Sequence, residues 1–156
     1  MRYRFLVITL ILAAILCTGC NKSTRAYKSE LKRLKELASD GDPVYLDSLA
    51  MHMIAQGESK AIAEANKLLE QAAAKGYHKA MYNLAVGTRN SWDVDNKKAY
   101  YWMNLACAYC PQGFYERYAK KRDEYQAKLK DDEVKSAQAQ ALLFYEKIEK
   151  NLKPQK

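Results

Sequence analysis

The chain has 156 residues, with 26 Lys and Arg against 18 Asp and Glu, a formal charge of +8. Charges of both signs are interspersed, as in KSELKRLKE and YERYAKKRDEYQAKLKDDE, which is the pattern of solvated helix faces and not of a basic block. With three prolines, six glycines and no sustained alternation of apolar and polar residues, the composition argues against a sheet and for one all-helical domain with its own core.

The N-terminus comes first. Arg2 and Arg4 precede an apolar run from Phe5 to Leu16, and the small residues Thr18 and Gly19 close it, which is the layout of a secretory signal. As a helix the apolar run would cover only about 20 Å, short of the roughly 30 Å hydrocarbon core of a bilayer. Thr18-Gly19-Cys20 resembles the lipobox of bacterial lipoprotein precursors, in which the cysteine is lipidated and the chain is cut just before it. The departure is Cys17, which stands where leucine is usual, with Leu16 one place upstream. An uncleaved anchor and an ordinary signal peptide are the alternatives.

The lipobox resemblance implies a signal peptide over 1–19, a covalent lipid on Cys20, and a polar tether over 20–25 that includes Asn21, Ser23 and Thr24. Attachment through several acyl chains is effectively permanent, since each buried methylene contributes about 0.8 kcal/mol. By resemblance to the enterobacterial sorting rule, in which aspartate after the cysteine retains the protein at the inner membrane, Asn21 implies the outer membrane, facing the periplasm. Loss of Arg2 and Arg4 leaves a mature charge of +6. Nucleic acid is a poor partner for such an exported chain, whereas an acidic protein or anionic head groups suit the surplus.

Residues 26–152 are organised by a repeat. Gly41 and Gly76 are 35 residues apart, and GDPVYLDSLAM laid over GYHKAMYNLAV matches Leu49 with Leu84 and Ala50 with Ala85. The following segments superpose Ala65 on Ala99, Leu68 on Trp102, Leu69 on Met103, Ala72 on Ala106 and Ala73 on Cys107. A weaker upstream copy sets Leu34 on Leu69 and Ala38 on Ala73. Each unit reads as a helical hairpin. In chain order the predicted helices are 26–39, 43–55, 61–75, 77–87, 95–109, 112–129 and 132–151. Asp42-Pro43 reads as N-cap and first helical residue, and Gly41 and Gly76 as left-handed helix ends. Trp102, Leu49 and Leu84 are expected to fill the space between paired helices.

GYHKAMYNLA, DNKKAYYW and LACA together resemble the Sel1-like repeat, a relative of the tetratricopeptide repeat, with Asp95, Lys98, Ala99 and Trp102 on its D-x-x-K-A-x-x-W pattern. The resemblance covers about residues 30–145 and implies a short α-solenoid of hairpins closed by capping helices. It departs at Cys110, where glycine is expected, and in the loop from Gly87 to Val94. Terminal repeats need caps because a repeat buries its core only against neighbours. The helix at 26–39 and the final pair are assigned that role, with Phe114, Tyr115, Tyr118 and Tyr125 packing the C-terminal cap.

The resemblance implies a scaffold or adaptor that binds another protein. In such arrays the first helix of each hairpin lines the concave face, and the positions left after core packing are Asp47, Ser48 and Met51, then Tyr82, Asn83 and Val86, at the same period. Family analogy also offers an immunity protein that neutralises a periplasm-delivered toxin. Catalysis is not expected: His52 and His78 have no partners at metal or triad spacing, and no phosphate loop, Ser-x-x-Lys or paired carboxylates in an apolar setting occur. Neither a metal nor a cofactor beyond the Cys20 lipid is expected. Cys107 and Cys110, the CAYC pair, form either a structural disulfide or two packed thiols. A thiol redox protein is the alternative of another class, disfavoured because a thiolate in the last turn of a helix meets the negative end of its dipole.

Overall fold

In the computed structural model, residues 25–57, 59–87 and 95–153 are described, so the signal segment, Cys20, Asn21 and the tether up to Thr24 lie outside the described residues. These residues form seven helices and no strand: α1 (25–37), α2 (Pro43–Ile54), α3 (Ser59–Ala73), α4 (His78–Gly87), α5 (Asn96–Tyr109), α6 (Gln112–Gln126) and α7 (Asp131–Leu152). None of these helices is long and apolar enough to cross a membrane.

Local chemistry sets the limits. The Asp42 carboxylate accepts from the free amides of Val44 at 2.8 Å and Tyr45 at 3.4 Å, with Pro43 at the first helical position, where its missing N–H is no loss. Gly76 closes α3 at φ +78°, in the left-handed region, and the Tyr77 amide reaches back to the Ala72 carbonyl at 3.2 Å. A Cβ there would also meet the Tyr109 ring at 3.4 Å. Asp95 caps α5 by accepting from the Lys98 amide at 2.8 Å. At the other end Cys110 is extended, because the ring of Pro111 disfavours helical backbone in the residue before it. A left-handed glycine is therefore not needed. The helix expected to run to 129 stops at Gln126, where the Lys128 and Leu129 amides turn to carbonyls three residues back. In α7 the Lys130 amide donates to Glu133, and Asp131, Asp132 and Glu133 suit the positive end of the helix.

Hairpins α2–α3 and α4–α5 pack within themselves, α3 packs on α4, and α5 sits centrally against α4, α6 and α7. Small residues make this approach close: Ala50, Ala65, Ala72, Ala73, Ala80, Ala85, Ala99 and Ala106 are fully buried. Most residues superposed by the repeat share burial, as with Leu49 and Leu84 or Leu69 and Met103. Leu68 and Trp102 differ, the first half-buried and the second 5% exposed. Trp102 was expected between the two helices of its own hairpin. Its ring meets Phe144 of α7 edge-on at 5.6 Å, so the last helix adds cover that the sequence reading did not foresee.

Candidate functional site

Of the six positions expected to face a partner, two are bound to each other. Asn83 donates from Nδ2 to Asp47 Oδ1 at 2.8 Å, linking α4 to α2, and Asp47 is only 8% exposed. This corrects the reading of Asp47 as a residue left over by core packing. A carboxylate at the edge of the buried stripe is tolerated because the amide of a neighbouring helix satisfies one oxygen. Burial raises its pKa, while the Asn83 hydrogen bond and the charge of Lys79 pull the other way.

The sign of that shift gives a test. A carboxyl whose pKa is raised by folding favours the folded state when protonated, and this advantage is lost as pH rises from the unfolded value towards the folded one. Asp47→Asn keeps the acceptor oxygen and removes the charge. Urea unfolding at neutral pH should find it at least as stable as the parent, with the difference shrinking below about pH 4. A clear loss at neutral pH would mean that the charged bond to Asn83 outweighs the burial cost.

The remaining positions are more open. Ser48 is half-buried, its hydroxyl donating to the Val44 carbonyl at 2.8 Å, and Val86 is half-buried. Met51 is 41% exposed and shares α2 with exposed Val44 and Tyr45. Tyr82 is half-buried and stacks on Tyr118 of α6, with ring centroids 4.7 Å apart and planes at 19°. Arg117 lies 5.2 Å over the Tyr82 ring and donates to its hydroxyl at 3.1 Å. Beside them His78 Nδ1 is 3.2 Å from the Tyr118 hydroxyl, and the His78 ring is 5.2 Å from Phe114.

Burial of this cluster pushes Tyr118 up to about 12 and lowers the pKa of His78, the latter helped by Lys79. Burial therefore disfavours the charged imidazole beside the phenol. Side chains thus join α2, α4 and α6 into one row. The sequence reading placed Tyr118 correctly as packing but missed Arg117 altogether. The missed signal is the period: Arg117 and Tyr118 follow Tyr82 and Asn83 by 35 residues, as those follow Asp47 and Ser48.

The cysteines lie elsewhere. Cys107 is buried in the last turn of α5, and Cys110 caps that helix and donates from its thiol to the Cys107 carbonyl at 3.4 Å. Both are free thiols, so the disulfide alternative is not formed in this structure. Burial pushes Cys107 up to about 11 and raises Cys110 as well, so neither is disposed to ionise near neutrality. His52 stacks on Tyr27 at 4.3 Å and fastens α1 to α2. Among the described residues no three His, Cys, Asp or Glu side chains are grouped to hold a metal ion. No protein-family profile, no curated protein and no solved structure matches the chain.

Proposed function

We propose that the protein is a lipid-anchored scaffold or adaptor of the bacterial outer membrane, facing the periplasm, that binds another protein through the face shared by α2, α4 and α6. In this reading the helices form a short α-solenoid of Sel1-like hairpins, with α1 and the α6–α7 pair as caps. The observation that carries it is the row Met51, Tyr82 and Arg117, drawn from three helices of which two follow at the same period, with buried Tyr118 stacked behind Tyr82. Tyrosine and arginine are the side chains most enriched among those that dominate interface energetics, and an exposed methionine adapts to an irregular partner surface. Stacking and the Arg117 hydrogen bond hold Tyr82 in place before binding, which lowers the entropy cost of association. The raised thiol pKa values weigh against the redox alternative.

The two halves of the proposal have separate tests. For the anchor, Cys20→Ser should abolish labelling by an acyl probe and leave the precursor uncut or cut elsewhere. Labelling that survives the substitution would remove the lipoprotein reading. For the binding face, the test is capture of the partner from crosslinked membranes by the parent chain and by a variant carrying both Tyr82→Ala and Arg117→Ala.

A further inference from the structure

Arg25, Lys28, Lys32 and Lys35 of α1 are all exposed and recur at steps of three and four residues, which sets them along one flank of the helix. The helix is fastened to the body on a different side, by buried Leu34 and by Tyr27, whose ring stacks on His52 of α2 at 4.3 Å. Glu36 faces Lys32 at 3.9 Å, so the flank holds four cations and one carboxylate, a net +3. Glu30 pairs with Arg33 at 3.4 Å, and helical spacing sets both away from the flank. Asp47, the one acidic residue of α2, is buried and bonded to Asn83, while Asp40 and Asp42 follow the C-terminal end of α1. Both ion pairs of α1 are exposed, where such pairs contribute little and leave their charges open to a stronger field.

The start of α1, Arg25, is five residues after Cys20. An extended chain of that length reaches at most about 18 Å, so a lipid on Cys20 would hold the first turn of α1 within that distance of the head groups. We propose that the flank of Arg25, Lys28, Lys32 and Lys35 docks on anionic phospholipid head groups of the bilayer that holds the anchor, an inference that rests on the Cys20 lipidation proposed above. Attraction of Lys and Arg to an anionic bilayer fades within a Debye length, about 8 Å at physiological salt. A net +3 is a weak recruiter from solution, but a short tether keeps the flank at the surface, so the charges have only to orient the body. The N-terminal, positive end of α1 points at the tether and adds to the same attraction. Asp40 and Asp42 lie at the opposite end of the helix, farther along the chain from the anchor.

The experiment reconstitutes the full chain, purified from its membranes, in vesicles of phosphatidylcholine alone or in equal mixture with phosphatidylglycerol. Amines are labelled with a water-soluble acetylating reagent, and the rates are read site by site by mass spectrometry. Docking shields the Lys28, Lys32 and Lys35 amines and favours their unreactive charged form. Phosphatidylglycerol should therefore slow their labelling about fivefold or more, the factor that one charge near an anionic surface is worth. Lys60 and Lys67, exposed on α3, should change little. Salt at about 1 M, where the Debye length falls to about 3 Å, should abolish the difference. Lys28→Gln with Lys32→Gln, exposed changes to a good helix former, should keep the circular dichroism and lose the slowing at Lys35. Equal rates in both vesicles overturn the proposal, as does slowing at Lys35 that survives the two substitutions or is shared equally by Lys60 and Lys67. Slowing in native membranes but in neither vesicle would assign the flank to an acidic protein and overturn the lipid as its occupant. The same spectra read the acyl mass on Cys20: a chain without it removes the anchor and the docking together, whereas an acylated chain with equal rates removes the docking alone.

Discussion

Trp102→Ala is expected to lower folding stability by about 3–5 kcal/mol, a large share of what a small domain has. The indole is 5% exposed and sits edge-on to Phe144 at 5.6 Å and to Tyr101 at 4.9 Å, so truncation removes one of the contacts that hold α7 on α5. Its Nε1 has no hydrogen-bond partner among the described residues, so the ring contributes through packing and burial. Trp102→Phe, which keeps an aromatic ring and removes that buried polar atom, should cost much less than Trp102→Ala. Thermal melting by circular dichroism checks both. The alanine variant should melt on the order of 15 °C lower, with Phe144→Ala showing a smaller loss in the same direction. An unchanged melt for Trp102→Ala would mean that α7 does not cover α5.

Helix limits were legible in the sequence because they are set locally. Asp42-Pro43, Asp95 three residues before Lys98, and Gly76 at a left-handed position each act on backbone groups within a few residues. The buried alanines were legible as well, since their spacing marks one face of each helix. What the sequence concealed is long-range. Trp102 finds Phe144 forty-two residues away, a pairing that no periodicity announces.

The proposed binding row was legible only in outline. Asp47 and Asn83 stand at neighbouring places of the repeat, 47 over 82 and 48 over 83, and a polar residue there can be free for a partner or satisfied across the helix pair. Here the 2.8 Å bond between them decides for the second. Arg117 and Tyr118 were hidden for the opposite reason. The apolar matches fade in the third copy, with Ala119 and Lys120 at the places of Leu84 and Ala85, so the polar continuation of the period lost its frame. The bonds of the buried Tyr100 hydroxyl, which donates to Gln126 on α6 and accepts from Gln138 on α7, had no sequence signal, because they join residues 26 and 38 places away.

The central claim is that α2, α4 and α6 present one protein-binding face, and quantitative partner capture from crosslinked membranes tests it most directly. The Tyr82→Ala, Arg117→Ala variant removes a stacked ring and the cation above it. Truncating a true hot spot costs at least about 2 kcal/mol, roughly a thirtyfold loss of affinity. Met51→Asp introduces a charge at an exposed position of the same row, so its effect on binding is read without a large loss of packing. Charge reversals at Glu64 and Lys67, exposed on α3, are the controls. The account predicts that both row variants lose capture while retaining helical content and membrane attachment, and that the α3 variants capture as the parent does. Undiminished capture by the row variants, with loss on reversing Glu64 and Lys67, would contradict it and move the interface to the α3 side.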